Sequence, residues 1–248
     1  NKEDKIGIFE VGMDKKGEID FLTKNIMPNV GVITNISYAH IKNFTNLKGI
    51  ADAKSEMINN ILENGTIILN ADDKFFKFFK SKSIKKKLKI ISFGIKKKSD
   101  VSLIYIKKGK FSSVIYIKNN EKKLKFIIKK KLENYIYNIL SALAVISIYY
   151  DLEKLDKFFF NDYEFPEGRG DTNIIKLKEK KINLIDESYN SNPLSLQFAL
   201  NKLNSLNSKS KRKLILLGDM LELGKYSKKL HIEAANFINA TKIDKVYV

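Results

Sequence analysis

Short β-branched apolar runs alternate with stretches of helical period along the first third of the chain. Ile6-Gly7-Ile8-Phe9-Glu10-Val11-Gly12 reads as a strand, residues 18–26 as a helix, and Val30-Gly31-Val32-Ile33-Thr34-Asn35 as a second strand. From Leu47 to Leu62 the residues Ile50, Ala53, Met57 and Ile61 share one helical face, and Thr66-Ile67-Ile68-Leu69-Asn70 follows as a strand. Strand and helix in alternation predict a parallel sheet covered by helices. Between Ile90 and Lys130 the pattern changes to short alternating runs at 101–106, 113–117 and 124–128, which predict an antiparallel sub-sheet. An apolar helix is expected over 134–149. Phe165-Pro166-Glu167-Gly168-Arg169-Gly170-Asp171, with one proline and two glycines, then breaks regular structure and predicts a boundary between domains 1–167 and 168–248. Beyond it, strands at 182–185 and 214–217 flank a helix over 193–206. A helix at 227–240 leads to a last strand-like run, and the whole predicts a second α/β unit.

Composition narrows the class. With 44% hydrophobic residues over 248 positions the chain can fill real cores, and it has no apolar run long enough to span a bilayer. No membrane insertion is expected, and the absence of a signal-like start makes a cytoplasmic location the expectation. Forty-six Lys and Arg against 28 Asp and Glu give a net charge of +18, a balance that would suit nucleic acid. The excess is nearly all lysine, in runs such as Lys85-Lys86-Lys87 and Lys129-Lys130-Lys131, whereas base and phosphate readout favour arginine. A solvated lysine-rich surface is therefore expected, with no nucleic-acid partner. Without cysteine, and with only His40 and His231, any metal must sit mainly on oxygen ligands.

Candidate chemistry lies at strand ends. Glu10 closes the first strand and His40 follows the second, at the edge where open parallel sheets hold ligands; spacing alone leaves both a functional and a structural role open. Arg169, one of two arginines, sits between glycines on the 165–171 turn, and its fixed fork suits phosphate oxygens. Asp186-Glu187-Ser188-Tyr189-Asn190-Ser191-Asn192-Pro193 joins a strand to a helix. Asn192 as N-cap and Pro193 in the first turn account for part of it by capping alone. His231 carries no expected chemistry.

Taken together, these segments resemble the Mur ligases, ATP-dependent amide-forming enzymes of peptidoglycan synthesis. Phe9-Glu10-Val11-Gly12 is similar to the family strand ending in a magnesium-binding glutamate, and Thr34-Asn35 through His40 to the strand end leading to a metal-site histidine. Ala53-Lys54-Ser55-Glu56 resembles the segment whose lysine is carboxylated, so Glu10, His40 and a carbamate on Lys54 are the implied Mg²⁺ ligands. Asn138 stands at the family's adenine-contacting asparagine, while Asn134 replaces the usual histidine. The Gly-Arg-Gly turn implies that Arg169 reaches the ATP phosphates. Glu187 stands where the family has a ribose-contacting aspartate, one methylene shorter, and Ser188, Tyr189, Asn190 and Asn192 line the implied substrate side. Lys54, Arg169 and His40 are the implied catalytic set.

Gly218-Asp219-Met220-Leu221-Glu222-Leu223-Gly224 resembles most the branch whose substrates are UDP-MurNAc-tripeptide and D-alanyl-D-alanine. Another Mur ligase or a folylpolyglutamate synthase-like ligase is the alternative, and a basic nucleic-acid-binding protein the remote one. The implied fold is α/β: a partial central P-loop-type ATPase domain with a mainly parallel sheet, then a truncated Rossmann-like domain. The family's Gly-x-x-Gly-Lys-(Thr/Ser) loop does not occur in the 248 residues. The expectation is a piece of a longer, monomeric enzyme, inactive by itself.

Overall fold

The computed structural model describes residues 4–206 and 212–248. The chain forms two compact units, one of residues 1–36 with 46–161, the other of residues 37–45 with 162–248.

The first unit is built on a six-stranded sheet in the order β1 (Val30–Ile33), β2 (Thr66–Asn70), β3 (Lys89–Gly94), β4 (Val101–Lys108), β5 (Ser112–Asn119) and β6 (Lys122–Lys129). Pairing is parallel from β1 to β4 and antiparallel from β4 to β6. The expected antiparallel run is thus no separate insert: Phe93 pairs with Val101, which continues the parallel sheet into it. Ile67, Ile68 and Leu69 of β2 are fully buried, as a helix-covered parallel strand requires. Helices α1 (Glu18–Ile26), α2 (Leu47–Lys54), α3 (Glu56–Asn60), α4 (Phe76–Lys85) and α5 (Ile136–Tyr149) complete this unit, and α5 packs across β2, β3 and β4 through Ile139, Leu140, Leu143 and Ala144.

Two expectations fail in this unit. Ile6–Gly12 forms no strand; Ile8 and Phe9 are exposed, and among the described residues no strand pairs with the outer edge of β1. An apolar β-branched run without a ladder partner has nothing to hold it extended. The single helix expected from Leu47 to Leu62 is two, broken at Ser55, whose hydroxyl donates to the Asp52 carbonyl at 2.6 Å and accepts from Lys82 Nζ at 2.8 Å. A hydroxyl bonded back to the preceding turn competes with the helical ladder.

On β6, Phe126 is 1% exposed, sits on the face of Ile128 and meets Phe160 edge-on at 5.7 Å. Phe126→Ala should cost about 3–5 kcal/mol of unfolding free energy, the range for a buried phenylalanine that leaves a cavity. Urea titration followed by circular dichroism measures this; a loss under about 1 kcal/mol would mean that the site collapses around the smaller side chain.

The second unit holds two small sheets. β7 (Asp171–Leu177) and β8 (Lys180–Asp186) form an antiparallel hairpin, with Asp171 opposite Asp186. β9 (Leu214–Leu216) and β10 (Lys245–Tyr247) pair in parallel. Sequence pattern missed β7, and the strands expected at 182–185 and 214–217 lie in separate sheets among the described residues. Helix α6 (Pro193–Ser205) starts on a capping box: Asn192 Oδ1 accepts from the backbone of Leu194 and Ser195, and Ser195 Oγ accepts from Asn192 N. Helix α7 (Ser227–Asn239) follows the 218–224 loop.

Residues 37–45 belong to this second unit. Lys42 N donates to Glu222 O at 2.8 Å, Tyr226 Oη donates to Thr45 O, and the Tyr38 and Tyr226 rings lie 6.0 Å apart. Gly224 has φ +50°, and a Cβ there would stand 3.0 Å from Lys42 Cα, so a side chain would be strained and would push the two backbones apart by a few tenths of an ångström.

Candidate functional site

At the C-terminal ends of β1 and β2 several polar groups converge. Lys54, the last residue of α2, directs Nζ to Asn35 O at 3.3 Å. Asp73 accepts from Ile36 N at 2.8 Å and Phe75 N at 2.7 Å, and Asn70 Nδ2 donates to Thr34 O at 2.9 Å. Burial pushes the Lys54 ammonium below its usual range, against the opposing pull of Asp73. A lysine so placed offers more neutral amine than a surface lysine does. Glu56, two residues on, serves the fold, since its carboxylate accepts from Gly17 N and Asp20 N at the start of α1.

Beside it, Asp72 forms a second node that sequence pattern did not single out. Its carboxylate accepts from the backbone of Ile95 at 2.6 Å, Lys96 at 3.0 Å and Lys97 at 2.8 Å, and from Tyr137 Oη at 3.0 Å. Burial alone would raise the Asp72 carboxyl, but the Lys96 and Ile95 amides, the Tyr137 hydroxyl and the Lys97 amide outweigh it and hold the group below its usual value. Tyr137 is pushed up to about 12, first by burial and then by Asp72, so it stays a donor at neutral pH. The next residue, Asn138, stands exposed on the first turn of α5, and Asn134 is exposed in the 3₁₀ turn before it.

A depressed carboxyl stabilises the fold above its unfolded pKa, and that contribution fades as pH falls through the folded value. Asp72→Asn should therefore lower thermal stability at pH 7, with the gap from the unsubstituted protein closing below the ordinary aspartate value of 3.8. Melting curves between pH 7 and pH 3 test this; a gap independent of pH would mean that the carboxylate charge is irrelevant there.

Glu10 is exposed on the irregular 4–12 segment of the first unit, which also holds Lys54. His40 lies in the second unit, with Nδ1 2.7 Å from Glu222 Oε2. His231 fastens the 218–224 loop: Nε2 accepts from Met220 N at 3.3 Å, which leaves Nδ1 to donate to Ser227 O at 2.8 Å.

The glycine-flanked turn of the second unit is tightly tied. Gly168 has φ +70° and Gly170 φ +92°. Gly170 N donates to Asp186 O at 2.6 Å, Tyr189 N donates to Gly168 O at 3.1 Å, and Gly168 N donates to Asp171 Oδ1 at 2.8 Å. A Cβ on Gly168 would meet Tyr189 N at 3.0 Å. Between the glycines, Arg169 is exposed, with Cζ 4.1 Å from the Tyr189 ring centroid. Glu187 is partly buried, with Oε1 3.1 Å from Lys202 Nζ. Ser188, Tyr189 and Asn190 are exposed, while the Asn192 side-chain oxygen is used in the α6 cap. The structure thus brings Arg169, Glu187 and Tyr189 together, and adds Lys202, which no sequence pattern marked.

Residues 1–146 match the Mur ligase middle domain, and residues 172–248 match the Mur ligase glutamate ligase domain. The UDP-N-acetylmuramoyl-tripeptide--D-alanyl-D-alanine ligase of Rickettsia prowazekii is 33% identical over 97% of this chain and 53% of its own length. A crystal structure of MurF from Acinetobacter baumannii is 28% identical with a TM-score of 0.86, over 99% of this chain and 52% of that one. That of MurF from Thermotoga maritima in complex with ADP, 24% identical over 96% of this chain and 52% of that one, has the same fold at a TM-score of 0.78. The chain spans about half the length of the curated relatives it matches. With one family domain matched over more than half of its residues and the companion domain matched after it, the chain belongs to the Mur ligase family.

Proposed function

We propose that the chain forms the middle and C-terminal parts, residues 1–167 and 168–248, of an ATP-dependent ligase that joins D-alanyl-D-alanine to UDP-N-acetylmuramoyl-tripeptide. The choice of substrates follows the relatives that carry that name. The observation that carries the chemistry is Lys54, a partly buried lysine at a strand end with a depressed pKa. Its neutral amine can add CO₂ to give a carbamate and a proton, which turns a cation into an oxygen ligand. Glu10, His40 and carboxylated Lys54 would then hold Mg²⁺; two carboxylate-type groups with one imidazole fit a hard cation. When bound, the ion would offset charge on the phosphate oxygens.

Asn138 is assigned to the adenine, Glu187 to the ribose and Arg169 to the phosphates, with Ser188, Tyr189, Asn190 and Asn192 on the substrate side. The nucleotide assignment follows the motif of the Mur ligase family to which the chain belongs. In the reaction a tripeptide carboxylate oxygen bonds to the γ-phosphorus as ADP leaves. The dipeptide amine then bonds to the acyl carbon as phosphate leaves and the nitrogen loses a proton. The protein's part is to hold the reacting atoms in line and to fix charge where it develops. A monomeric, cytoplasmic enzyme is the corresponding expectation.

The test is phosphate release from ATP by the protein of the complete coding sequence, with each substrate withheld in turn. Release that needs both UDP-MurNAc-tripeptide and D-alanyl-D-alanine is expected. Release indifferent to D-alanyl-D-alanine but dependent on another amine would move the enzyme to a different branch, and no dependence on either substrate would sink the reading.

A further inference from the structure

We infer that Lys202 is a positioning residue that locks the Arg169 turn and Glu187 into one arrangement for the nucleotide, an inference that rests on the proposed ligase function. Lys202 is 8% exposed, in a chain where most lysines face solvent. A buried ammonium is tolerated only where partners replace its water. Nζ of Lys202 donates to Gly170 O at 3.1 Å and to Glu187 Oε1 at 3.1 Å, and lies 5.7 Å from the Phe165 ring centroid.

The two acceptors come from different segments, the turn before β7 and the residue that follows β8. Lys202 itself rides on α6, whose start is fixed by the Asn192 capping box. One ammonium therefore ties three segments together, the turn through the Gly170 carbonyl and the chain after β8 through the Glu187 carboxylate. Gly170 is held on both sides, its N–H by Asp186 O and its carbonyl by Lys202, while the Gly168 carbonyl is held by Tyr189 N. With the peptide groups around Arg169 fixed, the guanidinium keeps its place over Tyr189. Glu187 is one methylene longer than the aspartate of the Mur ligase motif, and it is this longer acid whose Oε1 pairs with Nζ. The ammonium also offsets a carboxylate that would otherwise stand unpaired beside an anionic ligand.

Lys202→Met keeps length and removes the charge. By hydrogen exchange on the 248-residue chain, amides of 169–171 and 187–189 should exchange about tenfold faster, with α7 unchanged. The double variant Lys202→Met/Glu187→Gln, which leaves no lone buried carboxylate, should show the same acceleration if the single variant folds poorly. Unchanged exchange in those segments in the folded variant overturns the inference.

In the complete ligase, Lys202→Met should raise KM for ATP about fivefold and, by loosening Arg169, lower kcat severalfold, and Lys202→Arg should restore most of the loss. A purely structural lysine would lower the active fraction and leave KM alone, so an unchanged KM also overturns it. Absence of ATP turnover in the unsubstituted enzyme would instead sink the ligase reading, and the exchange result would then decide the role of Lys202 in the turn.

Discussion

Lys54→Ala in the complete ligase is expected to lower kcat roughly 10³-fold, the scale of losing a preorganised charge-stabilising group at a phosphoryl-transfer site. Burial is the physical cause. Packing at the end of α2 disfavours the ammonium, and the depressed pKa raises the share of neutral amine, the only form that can attack CO₂. The product carries a negative charge on two oxygens, which suits the strand-end position only if a cation is held there. Alanine removes the carbamate but leaves space for a small anion, so acetate or formate should restore part of the lost activity. Depleting CO₂ from the buffer should mimic the substitution in the unsubstituted enzyme, with recovery on adding bicarbonate, and ¹³C-bicarbonate should give a carbamate carbon resonance that Lys54→Ala lacks. Unaltered turnover in Lys54→Ala would refute the carbamate assignment.

Where a run of residues was long, periodic and buried, sequence pattern located it closely. α1 spans 18–26 and β2 spans 66–70 as expected, because their apolar spacing is the spacing of the face that packs. Ile6–Gly12 has the same apolar character but no ladder partner among the described residues, and composition does not reveal partners. β7 escaped because six of its seven residues are exposed, Thr172, Asn173 and Lys176 among them, so no buried face imposed a pattern. At the candidate site, motif residues with distinctive chemistry were legible: Arg169 on its glycine turn, and Glu187 beside Tyr189. Lys202 was not, since nothing in a lysine-rich sequence separates a buried lysine from a solvated one. Asp72 and Asp73 left one readable signal, two adjacent acids just beyond a strand, much as Glu10 was noticed at the end of an expected one.

Arg169→Ala is the second large effect: a fall of about 10²-fold in kcat of the complete ligase, the scale of deleting one aimed donor from a developing negative charge. Two features set this size. The side chain starts from a turn whose backbone is fixed at Gly168 and Gly170, and its guanidinium rests on Tyr189, so little freedom is lost when it engages phosphate. Arg169→Lys keeps the charge but loses both the planar fork and the stacking, and should recover no more than about tenfold of the loss. Tyr189→Leu leaves the guanidinium unsupported and should cost severalfold, since an exposed cation–π contact is worth about 0.5–1 kcal/mol. The order of kcat expected by steady-state phosphate release is therefore unsubstituted, Tyr189→Leu, Arg169→Lys, Arg169→Ala. Full activity in Arg169→Lys would mean that charge alone suffices and the fork geometry is incidental, while Arg169→Ala within threefold of the unsubstituted enzyme would remove Arg169 from the phosphate site.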